Sequence, residues 1–254
     1  MLVKILKTNP LVHFFTNTFL LLNFYYKRGK NNRISGWLVG ILIKTTVIIK
    51  GSDNSIIIGR GFKSKGLRIY ISGNRNKISI GADCHIDDSE IWITGDDNNV
   101  VLAGGVIVNN TEIGLSNRDS GVFVGKNTKI GGYLQLGTRR SRTESIRIFA
   151  FEGKKITMET DVAVSDGVVM RTSDSHSIYN DKKERINYAG DILIRSGCWI
   201  CSGVTLLKGS GIGKGCVVGL GSLVTKDFSD EDNVIVVGSP ARVVQENISW
   251  SLEI

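Results

Sequence analysis

From about residue 51 the chain repeats itself, and this narrows the possible folds more than any other feature. Asn54-Ser-Ile-Ile-Ile-Gly59 returns as Asn76-Lys-Ile-Ser-Ile-Gly81, again as Asn98-Asn-Val-Val-Leu-Ala103, and more weakly as Ser120-Gly-Val-Phe-Val-Gly125. The interval is 22 residues each time. A second element keeps the same interval, since Ile69-Tyr-Ile-Ser-Gly73 aligns with Ile91-Trp-Ile-Thr-Gly95, although just upstream Leu67 falls opposite Ser89. One such unit cannot bury its own apolar side, but stacked units can. Stacking would also bring Asn54, Asn76 and Asn98 into a ladder of side-chain amides.

Further along the period tightens to six. Ile156, Val162 and Val168 are six apart, and so are Ile194, Ile200, Leu206, Ile212, Val218 and Val224. A helix would need a period near 3.6 and an isolated strand a period of 2. Period six predicts a triangular coil with three faces of about six residues, each face turning one aliphatic side chain inward. The 22-residue period is then an eighteen-residue coil with four residues added, expected as a protruding turn. Thirty glycines and two prolines agree with short strands and tight turns.

These spacings carry a specific resemblance. The run Ile194-Arg-Ser-Gly-Cys-Trp-Ile-Cys-Ser-Gly-Val-Thr-Leu-Leu-Lys-Gly-Ser-Gly-Ile-Gly-Lys-Gly-Cys-Val-Val-Gly-Leu-Gly-Ser-Leu-Val-Thr-Lys-Asp227 resembles the C-terminal coils of hexapeptide-repeat acyltransferases. Val237-Gly-Ser-Pro-Ala-Arg-Val-Val244 resembles their closing segment. Strong matching covers residues 156–244. Arg195 and Cys201 stand where the family often has Gly, so slight distortion is expected there. The resemblance implies an all-β, left-handed parallel β-helix, a hand opposite to the usual crossover preference. The expected organisation is an N-terminal apolar and basic segment (1–50), partly helical, a β-helix acetyltransferase domain (51–228), and a closing segment and tail (229–254).

The six-residue register breaks between Val168 and Ile194, where the chain reads RTSDSHSIYNDKKERINYAGD. A polar excursion from a regular coil is a natural binding loop. It carries His176, one of three histidines; His13 lies in the N-terminal apolar stretch and His85 in an early repeat. Acetyl transfer to a hydroxyl requires a base, and imidazole titrates near neutrality. The resemblance places His176 as that base. Asp174 and Asp166 are candidates for fixing its tautomer, as is a backbone carbonyl. Trp199, just before the inward Ile200, should point outward, either towards the acceptor and pantetheine arm, or as an oxyanion donor, or into a subunit interface.

The same resemblance implies acetyl-CoA as donor and a homotrimer with sites between neighbouring subunits. Thr225, Lys226 and Arg242 match residues at the nucleotide end, where cations meet phosphates. Ser202, Gly203 and the segment Gly219, Leu220, Gly221, Ser222 match the edge followed by pantetheine. Metal is not expected: Cys198 and Cys201 form a lone C-x-x-C, and Cys198 and Cys216 read better as small buried residues. A zinc-dependent CO₂-hydrating β-helix would need three histidine ligands, and these are scattered.

Formal net charge is +8, with much of the excess in residues 4–50. No nucleic-acid motif accompanies it, which leaves anionic lipid or an anionic glycan. Residues 11–26 and 35–49 are apolar runs, short and interrupted for a bilayer span. The expectation is packing on the main domain, with peripheral attachment to the inner membrane as the sharper alternative. Free thiols and the lack of an evident signal peptide point to the cytoplasm. The function expected is O-acetylation of a capsular or other surface polysaccharide, the alternative being a small acceptor such as an antibiotic, amino acid or amino sugar. A purely structural solenoid would have no use for the His176 loop.

Overall fold

The computed structural model describes residues 23–36, 41–131 and 145–251. They form a parallel β-helix whose coils contribute one short strand to each of three sheets, of nine, nine and ten strands. The first face runs from the strand Phe24–Arg28 to Leu223–Val224, the second from Arg33–Ser35 to Asp227–Phe228, and the third from Ile41–Ile43 to Ile235–Gly238. Among the described residues no α-helix occurs. The expected helical part of the N-terminal segment falls largely on residues 1–22, outside the described residues.

The period-six aliphatics line the interior: Ile156, Val162, Val168, Ile194, Ile200, Leu206, Ile212, Val218 and Val224 are all essentially inaccessible. In the eighteen-residue coils each face in fact turns two side chains inward. Two residues before the aliphatic sits a smaller buried one, as at Cys198, Val204, Ser210, Cys216 and Ser222. From Cys198 on, each face pairs a large with a smaller side chain, whereas Ile156 with Met158 and Ile192 with Ile194 place two large ones inward. Cys198 and Cys216 fill this small position, and burial pushes the Cys198 thiol up to about 12. Glycines at the hexad turns (Gly197, Gly203, Gly215, Gly221) hold φ between 67° and 69°, where a side chain would be strained.

The asparagine ladder forms as expected and extends one rung further. Asn54, Asn76 and Asn98 are fully buried, and each donates its side-chain amide to the preceding rung, beginning at Asn32 (3.0–3.1 Å). The added residues of the 22-residue coils do not make a protruding turn. They lengthen the first face most, where the strand Glu90–Asp96 has seven residues against three for Thr205–Leu207, and the second face less, with four for Lys77–Ile80 against two for Gly211–Ile212. The early coils are therefore wide on the first face.

Two expected boundaries move. Phe24–Arg28 pairs in parallel with Thr46–Lys50, 22 residues on, so the solenoid begins well before residue 51. Residues 41–49 of the apolar run 35–49 are part of it, with Leu42, Val47 and Ile49 buried. At the other end Ile235–Gly238 still pairs in parallel on the third face. The strand Ala241–Gln245 then folds back antiparallel and covers the open edge. Arg195, out of pattern in the repeat, reaches the Ser229 carbonyl at 2.9 Å and leaves the coil intact.

Candidate active site

The excursion leaves the corner between the first and second faces after Arg171 and returns at Ile192. It is a short antiparallel hairpin: Ile186 N–H donates to the Ile178 carbonyl (2.9 Å) and Asn180 N–H to that of Glu184 (3.0 Å). Asn187 pins its base. Its side chain accepts from Ile178 N–H (2.7 Å) and donates both to Asp174 (2.8 Å) and to the His176 carbonyl (2.8 Å). Two ionic contacts fasten the hairpin to the coil: Lys208 to Asp174, and Arg185 to Glu152 at 2.7 Å. Glu152 also accepts the Ser173 hydroxyl, and Arg171 donates to that of Ser175 at 2.8 Å. The result is a held backbone from which His176 projects into solvent.

Asp174 is bonded within the fastening of the loop itself. Its carboxylate is committed to Lys208 and Asn187, which together hold its pKa below the usual carboxylate range. Asp174 thus helps to fix the loop. Asp166 lies in a different corner, between the third and first faces, where its carbonyl accepts Gly203 N–H at 2.9 Å. Sequence reasoning missed Asn187, Lys208, Glu152 and Arg185. Lys208 is 34 residues from Asp174, and no spacing links them.

Trp199 lies on the third face, outward as expected and 38 % exposed. Its indole N–H donates to the Ser165 hydroxyl (3.2 Å), and its ring packs on Trp250 from the C-terminal tail (centroids 5.8 Å apart). Trp250 is itself anchored to the Gly197 carbonyl at 2.7 Å. Ser202, Gly203, Leu220 and Gly221 stack at the adjoining corner, with Leu220 79 % exposed. The N–H groups of Gly203 and Gly221 are used in the ladder, by Asp166 and Ser202. Ser222 is buried: its hydroxyl donates to Gly219 (2.6 Å) and accepts Gly238 N–H (3.2 Å). It fastens the closing segment and has no side-chain atom to offer a ligand. Arg242 is exposed on the final strand opposite Val237.

Thr225 and Lys226 belong elsewhere. By strand register Leu206 faces Val224, which sets Lys226 one coil beyond Lys208 at the corner of the His176 loop. The expected residues therefore fall into two groups on one chain: a corner carrying His176, Asp174, Thr225 and Lys226, and a face carrying Trp199, Ser202, Gly203, Leu220, Gly221 and Arg242.

No protein-family model matches the chain. Among solved structures it is similar to the polysialic acid O-acetyltransferase OatWY, with 27 % identity and TM-score 0.69 over 91 % of this chain and 92 % of that one. It is also similar to the polySia-specific acetyltransferase NeuO, with 25 % identity and TM-score 0.61 over 90 % and 88 %. In coil, closing segment and fold, the chain is similar to the hexapeptide-repeat acyltransferases. This acyltransferase-type coil is the left-handed parallel β-helix. A polysialic acid O-acetyltransferase of Escherichia coli is 30 % identical over 131 residues, which are 51 % of this chain and 38 % of that protein. A galactoside O-acetyltransferase of Lactococcus lactis is 30 % identical over 122 residues, 48 % of this chain and 54 % of the other. The chain thus spans between about two fifths and just over half of the length of these curated relatives.

Proposed function

We propose that the protein is an acetyl-CoA-dependent O-acetyltransferase acting on hydroxyls of a surface polysaccharide. The observation that carries this reading is the exposed imidazole of His176, mounted on a hairpin that is fastened to the coil at Asp174 and Glu152. Likeness to polysaccharide O-acetyltransferases over nine tenths of the chain supports it.

In this reading His176 takes the proton of a sugar hydroxyl as its oxygen attacks the thioester carbonyl. The C–S bond then breaks, and the departing thiolate takes a proton. Because the Trp199 N–H is engaged by Ser165, its ring serves as a wall for acceptor or pantetheine and not as an oxyanion donor. Arg242 and Lys226 meet the donor's phosphates. His176 and Trp199 stand on different sides of one coil, so a complete site needs the corner of one subunit against the face of the next. Ile178, Tyr179, Ile186 and Tyr188, each more than half exposed on the hairpin, supply an apolar surface for such an interface in a trimer. The cytoplasm, where acetyl-CoA is available, is the compartment this chemistry calls for. No described helix is long and apolar enough to cross a membrane.

The test is incubation with acetyl-CoA and a panel of surface polysaccharides, following thiol release and polymer-bound acetyl. Acetyl should appear on one polymer and fall about 100-fold or more with His176→Ala. Undiminished transfer by that variant would remove the base from the mechanism. The galactoside O-acetyltransferase relative favours a second reading, a small sugar acceptor, which thiol release without polymer acetylation would support.

A further inference from the structure

The wide first face carries three outward rows whose composition is unlike an ordinary solvated sheet. The middle row runs by strand register from Tyr26 through Ile48, Tyr70, Trp92, Gly114 and Phe149 to Arg171. On one side lie Arg68, Glu90, Glu112 and Arg147; on the other Arg28, Lys50, Ser72, Thr94 and Ser116. The face is thus a stripe of rings between a charged row and a row that passes from basic to hydroxyl.

Gly114 shows that the stripe is shaped. It lies in mid-strand without a positive φ, where glycine only weakens a sheet. A Cβ added there would come within 2.2 Å of Trp92 Cζ2 and 2.9 Å of Phe149 Cδ1. The missing side chain lets the Trp92 ring lie down over the strand, where its N–H is held by Glu112 at 2.6 Å. Phe149 and Phe151 stack on each other beside it (5.7 Å, 10°), with the Trp92 ring tilted by 49° and 38° to them, making a continuous aromatic floor. Cations frame that floor: Lys50 over Tyr70 at 5.4 Å and Arg171 over Phe149 at 5.8 Å. The three rows hold five cations and two carboxylates. Glu90 is paired with Arg68, while Glu112, bonded to the neutral indole of Trp92, keeps its charge, and the balance of the three rows is still positive. The stripe ends at Arg171, whose guanidinium bonds Ser175, the neighbour of His176.

We propose that this face is a holding track for an anionic polysaccharide, along which the acceptor lies on its way to His176. The inference rests on the polysaccharide reading above. Sugar rings present C–H faces that stack on flat aromatic rings. Their hydroxyls pair with Ser72, Thr94 and Ser116, and their acidic groups with the cations. Continuity with the His176 loop and charge complementarity select this occupant over a second copy of the chain.

The experiment uses the full chain with long-chain polysialic acid and its short oligomers, dextran serving as uncharged control. Affinity electrophoresis measures binding without requiring turnover, and acetyl transfer is followed in parallel. Trp92→Ala should weaken retention by the long polymer about tenfold, with Tyr70→Ala weaker in the same direction and Trp92→Phe largely retaining binding. Transfer to short oligomers should be unchanged. Wild-type retention by Trp92→Ala, or an equal loss on short and long acceptors, overturns the track alone. A changed oligomeric mass in a folded Trp92→Ala or Tyr70→Ala variant overturns it in favour of an interface between copies. A wild-type protein that neither binds nor acetylates any polysaccharide overturns the polysaccharide reading itself.

Discussion

Asp174 is kept ionised by the Lys208 ammonium and the Asn187 amide, and Glu152 by the Ser173 hydroxyl and Arg185. Both carboxyls titrate below their ordinary range, so the folded hairpin gains from them above that range and loses the gain as pH falls through the lowered values. Acidification should therefore loosen the hairpin before the coil. Amide exchange at Ile178 and Ile186 should quicken, beyond its intrinsic pH dependence, below about pH 4, where free carboxyls begin to protonate. Lys208→Ala should bring part of this loosening to neutral pH. Protection that is indifferent to both would mean the ionic contacts are incidental. At this scale the sequence was a partial guide. His176 stood out because histidines are scarce and the register breaks around it. The groups that hold it could not be read, because their partners meet only when coils stack.

At the level of strands and turns, stacking writes itself into the sequence. Within each uninterrupted run of coils an inward position recurs at a fixed interval, 22 residues early and eighteen late, which is why the hexads and the asparagine ladder are legible in the sequence. The width of the first face was not, since added residues are equally compatible with a bulging turn or a longer strand. The long-range cost of one rung can be tested. Asn76 donates to Asn54 and to the Gly95 carbonyl and accepts from Asn98 N–H, all inside the coil. Asn76→Ala strands those groups, and urea unfolding should show a loss of about 1–3 kcal/mol. A loss within error of zero would mean water or relaxation satisfies them.

For the molecule as a whole, the division of the expected residues between a corner and a face has an operational consequence. If sites form between subunits, His176→Ala and Trp199→Ala chains are each inactive but complementary. Co-expressed and assembled together at random, they should regain activity in about a quarter of the sites. Mixtures no better than either parent would place the whole site within one chain. Sequence could suggest this arrangement only through resemblance, because corner and face residues alternate along the chain and separate only on winding.

The 22-residue coils have one further implication. Among the described residues, seven strands of the first face run from Phe24–Arg28 to Val169–Arg171, where the His176 loop leaves the coil. At about 4.8 Å per strand this is a distance of roughly 30 Å. It is fixed by the number of coils and adjustable only in whole coils. A polymer engaged along that length is measured against it: short chains cannot span it and long ones can. The column is then a graduated rule, and adding or removing one repeat would reset the chain length it favours while leaving the reacting corner untouched.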